Sequence, residues 1–460
     1  MTAATTDAHP AHATDTIAVL DPSTGEEIGT IPAGDAAAAD AAARAARAAQ
    51  PDWAGRPAAE RAELLKAAAA RARARLDELA ELVSRENGRP VDESRAGVEA
   101  GIGGIEQYAE LGPLHRGRAL NGAWNATDLM VHEPRGVAAL LVPWNDPIAI
   151  AGGQLGACLV TGNTVVLKPS EKTPLSTIRL VELLALPAGV LELLLGDERA
   201  GRPLAAHPEV DLVIHTGSIA TGRELAALTA RDLRKALLEL GGKDPLVVDD
   251  GVDPAWAAEQ AAAGAFANAG QLCTSVERIY VHETVAEPFV AALVAQAEQT
   301  TIGPLIDAAQ RDIVQRHVTD AVERGAEVRT GGAPADGPGF FYPPTVLTGC
   351  TDDMAIMREE TFGPVAAVRA VGSFEDALAA ANATEYGLAA TVLTPSMAHA
   401  QSAWRELRAG TVKVNAVWGG APGGAAQPQG ASGTGFGYGP ELLDEVTLTK
   451  VVHVQPPPGA

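Results

Sequence analysis

From Gly136 onward, short apolar runs alternate with segments of helical pattern. The runs have the length of strands: GVAALLVP, TVVLK, GVLELLL, VDLVIH, KALLEL and PLVVDD. Strands that alternate with helices in this way are typical of βαβ units, in which helices cover both faces of a parallel sheet. The alternation therefore predicts an α/β protein built on mostly parallel sheets.

The remainder of the chain extends this pattern. The N-terminal third is rich in Ala and has helical periodicity, and a second α/β region follows the first. Helices are predicted from about Asp35, over 58–85 with a stop at Asn87-Gly88, and over 94–111, 253–267 and 285–296. Further strands are predicted at RIYVH, PVAAVRAV, LAATVLT, TVKVN and TLTKVVHV, and residues 421–439, rich in Gly, Pro, Ala and Ser, are predicted to form a loop.

Length and charge narrow the classes of function. A chain of 460 residues exceeds the size of one ordinary hydrophobic core, so we expect two large domains. The 35 basic and 58 acidic residues give a net charge of −23, which disfavours nucleic acid and anionic membrane surfaces as partners. Polar residues interrupt every stretch of about 20 residues, so no membrane-spanning helix is expected.

The first residues and the cysteines indicate a cytoplasmic protein. Residues 1–15, MTAATTDAHPAHATD, have neither a basic start nor an apolar core, so we expect a disordered tail rather than a signal peptide. Cys158, Cys273 and Cys350 are far apart and have no metal-ligand spacing. This usage fits a reducing compartment and predicts neither disulfides nor a metal site.

Cys273 is a candidate nucleophile. It lies in NAGQLCTSVER, between the end of an Ala-rich helix and a strand, where a side chain can face a cleft. The thiolate is the reactive form of cysteine and needs local help to be populated. A lone cysteine is more often an inert core residue, as Cys158 in LGACLVTG is expected to be. Both interpretations of Cys273 are open on this local context alone.

Glu239 and Asn145 are candidates for general-base and oxyanion chemistry. Glu239 ends an apolar strand before a Gly-Gly turn, where burial would raise its pKa and suit it to accept a proton. Asn145 follows the strand GVAALLVP in the turn WNDP, at the carboxyl end where α/β sheets place their sites. The alternatives are a paired or exposed glutamate and a simple turn asparagine.

HTGSIATG indicates a phosphate-binding turn. Gly217 and Ser218 follow the strand VDLVIH and precede a helical run, so their backbone N–H groups lie at a helix N-terminus. An ordinary helix cap is the alternative. No G-x-G-x-x-G motif opens a βαβ unit anywhere in the chain.

Taken together, these motifs resemble the aldehyde dehydrogenase superfamily, in order from DPSTGEEIG near Asp21 to TKVV near Lys450. The matching segments are PWNDP, GNTVVLKPSE, HTGSIATG, LELGGKDP, GQLC, EETFGPV, NATEYGLAA and GTVKVN. The resemblance implies that Cys273 is the nucleophile, Glu239 the general base and Asn145 the oxyanion donor. It implies cofactor contacts from Trp144, Lys168, Ser170, Glu171, Gly217, Ser218, Leu240, Gly241, Glu360 and Phe362.

The resemblance also implies the architecture. An aldehyde dehydrogenase-like fold has a Rossmann-type cofactor domain, an α/β catalytic domain and a small β oligomerisation arm. We expect the NAD-binding domain at 16–120 and 138–240, the catalytic domain at 241–440, and the arm at 121–137 and 441–460. Homodimers or homotetramers are then expected.

The implied reaction is oxidation of a small-molecule aldehyde to its acid with NAD. Cys273 attacks the aldehyde, hydride leaves, and Glu239 activates the water that hydrolyses the thioester. A carboxylate at Glu171 would accept from the ribose 2′-hydroxyl and repel a 2′-phosphate, so we expect NAD rather than NADP.

Two departures from the family pattern concern the aldehyde tunnel. Asp146 lies where relatives usually carry an aromatic or apolar residue, and Gln429 replaces a phenylalanine in a shortened segment. We therefore predict a wider or more polar tunnel, to which Leu272, Thr274 and Trp418 also contribute. One hypothesis is that Asp146 receives the cationic group of an amino-aldehyde; the alternative is that it bonds backbone in its own turn.

Three other functions are alternatives to an NAD-dependent aldehyde dehydrogenase. A CoA-acylating semialdehyde dehydrogenase generally lacks the general-base glutamate, which Glu239 supplies here. A Cys/Glu hydrolase without a nucleotide leaves Lys168, Glu171, Ser218 and Glu360 unexplained. A non-catalytic NAD-binding scaffold of the same fold is suggested by the altered tunnel alone.

Overall fold

The computed structural model describes residues 15–420 and 424–457. Its strands are β1 (Thr16–Leu20), β2 (Glu27–Pro32), β3 (Arg118–Leu120), β4 (Thr127–Pro134), β5 (Val137–Leu141), β6 (Thr164–Lys168), β7 (Leu191–Leu193), β8 (Leu212–Thr216), β9 (Lys235–Glu239), β10 (Asp244–Val248), β11 (Val276–His282), β12 (Glu327–Thr330), β13 (Thr345–Thr348), β14 (Val365–Val371), β15 (Ala389–Leu393), β16 (Thr411–Val414), β17 (Gly433–Thr434) and β18 (Thr447–Val454). Its helices are α1 (Ala36–Gly55), α2 (Ala58–Arg73), α3 (Leu76–Asn87), α4 (Val91–Leu111), α5 (Pro147–Val160), α6 (Leu175–Leu184), α7 (Glu198–Ala206), α8 (Ile219–Arg231), α9 (Pro254–Phe266), α10 (Glu283–Gln299), α11 (Ala308–Glu323), α12 (Ala355–Arg358), α13 (Phe374–Ala381), α14 (Met397–Glu406) and α15 (Glu441–Glu445).

The first large sheet has the order β17-β9-β8-β5-β6-β7, and its strands β5 to β9 are parallel. Alternate residues of β5 enter different cores: Ala138 and Leu140 pack in one, Val137 and Ala139 in the other. Such two-sided burial explains why the sequence shows continuous apolar runs here rather than alternation. The parallel α/β arrangement predicted from Gly136 onward is confirmed.

The second large sheet has the order β12-β13-β14-β11-β10-β15-β16 and is parallel except for the edge pair β12–β13. The run PLVVDD forms β10, which is the first strand of this second sheet along the chain and does not belong to the first sheet. Two further cores cover its faces.

A three-stranded sheet, β18-β4-β3, forms the arm. All eight residues of β18 pair antiparallel with β4, from Thr447 opposite Pro134 to Val454 opposite Thr127. Because β3 (Arg118–Leu120) also pairs with β4, the arm sheet begins before residue 121. β17, within the expected loop 421–439, joins the edge of the first large sheet instead. Of the expected tail at 1–15, residues 1–14 lie outside the described part, as do 421–423 of that loop.

The helix predicted over 58–85 is two helices, α2 and α3, separated at Ala74 and Arg75. α3 ends at Asn87, and Gly88, with φ +78, caps it. The helix stop predicted at Asn87-Gly88 is therefore confirmed. The break has no Gly or Pro, and tertiary packing overrides the continuous helix propensity. None of the described helices combines the length and apolarity that crossing a membrane requires.

Glycines let α4 and α5 pack in close contact. A Cβ on Gly101 would lie 2.2 Å from the carbonyl oxygen of Ile148, and a Cβ on Gly152 would lie 2.1 Å from that of Gly101. This approach fixes α5, whose N-terminal turn follows Asn145.

Candidate active site

Cys273 lies in a braced loop between α9 and β11. Asn268 and Ala269 have positive φ values of 49° and 54°, and turn the chain after the helix. Gln271 then fixes the loop, because its side-chain amide donates to the carbonyls of Asn268 and Pro304 while its Oε1 accepts from the Ile306 N–H. The Cys273 thiol is thereby held in the wall of a cavity.

The environment of Cys273 disfavours the thiolate. Burial raises the pKa of the thiol to about 12, and the carboxylates of Asp244, Glu360 and Glu239 add to the rise. A thiol in this state needs a proton acceptor before it can attack. Glu239 lines the same cavities as Cys273 and can serve as that acceptor.

Glu239 is the last residue of β9. Its Oε1 is shielded from solvent and forms no hydrogen bond of normal geometry among the described residues, although the Gly437 backbone lies against the carboxylate. Burial raises the pKa of the carboxyl to about 7, with the backbone of Gly437 offsetting part of the rise. A Cβ on Gly437 would lie 2.3 Å from Glu239 Oε1, so glycine leaves the space this carboxylate occupies. A carboxylate with a pKa near neutrality is suited to general-base work.

Asn145 is 8% exposed and lies between β5 and α5, where it shares a cavity wall with Cys273. Its side-chain Nδ2 donates to the carbonyl of Gln271, at 3.0 Å. The amide is therefore oriented toward the nucleophile loop, and a second N–H remains available to an oxyanion.

A cleft of about 680 Å³ opens at the carboxyl end of the first large sheet. Lys168 at the end of β6 and Glu171 line it, with Nζ and Oε2 separated by 3.9 Å. Ser218 caps α8 by accepting from the Thr221 N–H, so the N-terminus of that helix faces the cleft. A helix N-terminus at the edge of a parallel sheet is a favourable phosphate position.

His215 provides a test of whether this cleft suits a dinucleotide. It is 8% exposed, it lines the cleft, and neither ring nitrogen forms a hydrogen bond of normal geometry among the described residues, although the Leu141 backbone lies near the ring. Burial lowers the pKa of the imidazole to about 4, so the ring is neutral. A buried neutral imidazole with free nitrogens can bond a polar ligand. The cleft thus fits a group with hydroxyl or phosphate oxygens.

A second cavity of about 290 Å³ joins the cleft to Cys273. Glu360 and Phe362 line it from a loop held by Glu277, whose carboxylate accepts from the backbone N–H groups of Thr361 and Phe362 at 2.8 Å. Phe362 has φ +51 and meets Trp144 edge to face, with ring centroids 5.3 Å apart. The two rings form an apolar wall beside the nucleophile.

A third cavity, about 170 Å³, also reaches Cys273 and has a largely different wall. Its wall is formed by one face of α5, including Ala149 and Gly153, and by the hydroxyl-bearing residues Thr274, Thr411 and Tyr438. Cys273 and Glu239 lie at the junction of the second and third cavities. The nucleophile can therefore be reached by two ligands from two directions.

Comparison with known proteins decides the family. The profile of the "Aldehyde dehydrogenase family" matches residues 9–452. The chain belongs to the aldehyde dehydrogenase family. Among similar solved structures is lactaldehyde dehydrogenase from Escherichia coli, 34% identical, with 96% of each chain covered and a TM-score of 0.93. A 3,6-anhydro-L-galactose dehydrogenase in complex with NAP is 33% identical, again with 96% of each chain covered and a TM-score of 0.93.

Betaine aldehyde dehydrogenase from Staphylococcus aureus in complex with NAD+ is another relative in this family. It is 31% identical to this chain, the match covers 97% of this chain and 93% of that one, and the TM-score is 0.93. Full-length coverage at this similarity confirms the predicted aldehyde dehydrogenase fold.

In this aldehyde dehydrogenase fold, every cofactor residue predicted from sequence lines the cleft or the second cavity. Their contacts with the dinucleotide stay predictions. Those in the cleft are Trp144, Lys168, Ser170, Glu171, Gly217 and Ser218, and those in the second cavity are Trp144, Gly217, Ser218, Leu240, Gly241, Glu360 and Phe362.

The predicted tunnel residues are not brought together in the same way. Of the five, Thr274 lines the third cavity, and Leu272 is not part of its wall. Trp418 instead donates its indole N–H to the Ala263 carbonyl, and the exposed Gln429 donates to the Ala409 carbonyl. These bonds join residues distant in sequence, and neither side chain is part of the wall of the third cavity.

Asp146 has a partner that the sequence did not predict. Its carboxylate pairs with the Arg89 guanidinium at 3.0 Å, while Gly97 leaves room for the pair. No side-chain cap bond to its own turn is formed either. Arg89 comes from the loop between α3 and α4, so neither the cationic-substrate hypothesis nor the turn alternative foresaw this partner. The charge of Asp146 is already balanced within the protein.

Sequence reasoning missed the face of α5 that lines the third cavity. Ala149 and Gly153 are four residues apart, which places both on one side of α5. That spacing was a usable signal. Tyr438 and Thr411 carried none, because they come from distant segments.

Proposed function

We propose that this member of the aldehyde dehydrogenase family oxidises an aldehyde to its carboxylic acid with NAD as the hydride acceptor. The observation that carries the proposal is the position of Cys273 and Glu239 at the junction of two cavities, one continuous with the cleft and one open to a second ligand. A two-substrate reaction at a thiol needs that arrangement.

In the first half of the reaction, Glu239 accepts the thiol proton and the Cys273 sulfur adds to the aldehyde carbon. The carbonyl electron pair moves to oxygen, which Asn145 and the Cys273 backbone N–H stabilise. When bound, the oxidised dinucleotide supplies the acceptor for the hydride that leaves this carbon. The carbonyl then re-forms as a thioester on Cys273.

Before the second half, Glu239 releases the thiol proton to solvent and is a carboxylate again. It then takes a proton from water as the water oxygen adds to the thioester carbon. The tetrahedral adduct collapses, the C–S bond breaks with its electron pair on sulfur, and the acid leaves. Glu239 returns to the carboxylate by losing its proton to solvent.

Dinucleotide choice is proposed from Glu171. Its carboxylate lies in the cleft near Lys168, where it would accept from a ribose 2′-hydroxyl and repel a 2′-phosphate. The relatives crystallised with NAD+ and with NAP show that the fold accommodates both. We expect NAD to be used in preference to NADP.

The lining of the third cavity suggests the aldehyde. Four hydroxyl groups, those of Thr216, Thr274, Thr411 and Tyr438, line it together with several small residues, and Asp146 pairs with Arg89. A short, polar, uncharged aldehyde fits such a wall better than a cationic or long apolar one. Relatives named for lactaldehyde and 3,6-anhydro-L-galactose are compatible with this preference.

Homo-oligomerisation through the arm and a cytoplasmic location complete the proposal. β18 lies at the edge of the arm sheet and exposes Leu448, Val451 and Val454. An unpaired edge strand with exposed apolar side chains is suited to contact a second copy.

The test is reduced-dinucleotide formation by the purified protein with NAD or NADP and a panel of hydroxylated, aliphatic, carboxylated and amino-aldehydes, beside Cys273→Ala. We expect turnover with NAD and a hydroxylated aldehyde that disappears in the variant. Dinucleotide binding without turnover on any aldehyde would instead support a scaffold, and equal rates with NADP would remove the role given to Glu171.

A further inference from the structure

Gln154, on α5, is buried in the active site and its function is not explained by the fold. It is 2% exposed and lines the third cavity together with Cys273 and Glu239. Its Nε2 donates to Thr216 Oγ1 at 3.0 Å, but its Oε1 has no donor among the described residues. A buried acceptor without a partner costs free energy, on the order of 1–3 kcal/mol, so the position needs a reason.

The sheet register places Glu239 beside Thr216, the residue that Gln154 bonds. Thr216 and Glu239 are direct partners in the parallel pair β8–β9, and paired residues in neighbouring strands lie about 4.8 Å apart with side chains on one face. Gln154 bonds Thr216 and lines the third cavity together with Glu239. Glu239 Oε1 is likewise buried and forms no hydrogen bond of normal geometry in the described part of the chain, although the Gly437 backbone lies against the carboxylate.

We propose that Gln154 positions the hydrolytic water of the deacylation step, holding it between its own Oε1 and Glu239 Oε1. Two buried acceptor oxygens on residues that line one small cavity need donors, and a single water molecule has two O–H groups to give. With both O–H groups engaged, a lone pair of the water oxygen is free to attack the thioester carbon on Cys273. Glu239 takes one proton, and the other stays bonded to Gln154 until the acid forms.

Gly437 supports this arrangement from the opposite side. Any side chain there would meet the Glu239 carboxylate, with a Cβ only 2.3 Å from Oε1. The carboxylate can therefore lie against the backbone of Gly437, and Gln154 and Thr216 remain its neighbours across the cavity. Gln154 acts on the water rather than on the aldehyde or the dinucleotide, and is a positioning residue.

This inference rests on the proposed function, so the experiment separates the two half-reactions. Wild type, Gln154→Leu and Gln154→Glu are mixed with NAD and the best aldehyde in a stopped-flow instrument, and the burst of reduced dinucleotide is compared with steady-state turnover. Gln401→Leu, an exposed position on α14, is the matched control.

In Gln154→Leu we expect the burst rate within about two-fold of wild type and steady-state turnover about ten-fold lower, the effect of losing one hydrogen bond to the water. The burst amplitude should approach one per site and KM should not rise. Gln154→Glu keeps an acceptor oxygen and should deacylate, but its added negative charge should move the pH limb of deacylation upward.

A second measurement uses an activated ester, which acylates Cys273 without any dinucleotide. Hydroxylamine attacks the acyl-enzyme directly, so it should restore turnover in Gln154→Leu while leaving wild type little changed. Turnover of Gln154→Leu equal to wild type overturns the proposal, as does an equal loss of burst and turnover. A raised KM with unchanged kcat would assign Gln154 to aldehyde binding and also overturn it. If wild type gives no burst with any aldehyde, the proposed function itself fails.

Discussion

Burial has opposite consequences for the two reacting residues. It raises the pKa of Glu239 to about 7, where a carboxylate is an effective base at neutral pH, but it raises the pKa of Cys273 to about 12, where the thiol is unreactive. Activity therefore depends on proton transfer within the cavity rather than on a preformed thiolate. Glu239, Asn145 and Gln154 line the two cavities at Cys273, where they can accept a proton or form hydrogen bonds to the reacting groups.

Asn145→Ala should lower turnover by about 10²–10³, because one oxyanion donor is lost in a site shielded from water. The variant should remain folded, since Asn145 makes a single side-chain bond, to the Gln271 carbonyl. Steady-state kinetics beside a thermal unfolding curve checks both statements. Near-normal turnover would contradict the oxyanion role.

Deacylation should depend on pH through Glu239. Because its pKa is raised, the carboxyl is protonated and inactive as a base below about pH 7, so the deacylation rate should rise as pH passes through that value and then level off. Single-turnover decay of the acyl-enzyme over a pH series measures this limb. Glu239→Gln should deacylate slowly at every pH, and a limb that survives in that variant would assign the base elsewhere.

At the level of elements, the contact between α4 and α5 sets the position of the cavity wall. Their backbones approach so closely that Gly101 and Gly152 have no room for a side chain. α5 carries Ala149, Gly153 and Gln154 into the third cavity, so the shape of that cavity depends on a helix contact outside it.

Gly101→Ala should destabilise the protein by roughly 1–3 kcal/mol, because a Cβ would meet the Ile148 carbonyl and push the helices apart. Gly103→Ala, two residues along the same helix, has nothing within 4 Å and should instead stabilise by about 0.5–1 kcal/mol through helix propensity. Denaturant unfolding of the two variants measures the difference. Equal behaviour would show that the close approach is not needed.

For the whole molecule, the arm joins the beginning and the end of the chain. β3 and β4 follow α4, whereas β18 is the last strand, and the three form a sheet that exposes apolar residues at its edge. Val451, 66% exposed, lies on that edge strand.

Val451→Asp should weaken the proposed oligomer, because a charge replaces an apolar side chain in the contact. Leu233→Asp, on a surface loop between α8 and β9 and 95% exposed, is the control and should leave the mass unchanged. Sedimentation equilibrium over a range of concentrations gives the mass of each. A wild-type monomer, or an oligomer that both variants retain, would exclude this arm contact.

The sequence by itself determined the parallel α/β arrangement and the positions of the catalytic candidates. Runs such as GVAALLVP are strands because both faces are buried, and Asn145, Glu239 and Cys273 come at the ends of local elements, where short-range patterns are informative. Ordered motifs along the chain also identified the family before any contact was known.

Only the tertiary structure decided which side chains line the third cavity. Asp146 pairs with Arg89 from the loop between α3 and α4, and Trp418 and Gln429 bond carbonyls elsewhere. Gln154 bonds Thr216, whose partner in the neighbouring strand is Glu239. Such partners are distant in sequence, and local propensity carries no information about which of them a flexible polar side chain will meet. The direction of a polar side chain is set by the donor or acceptor that the fold brings beside it.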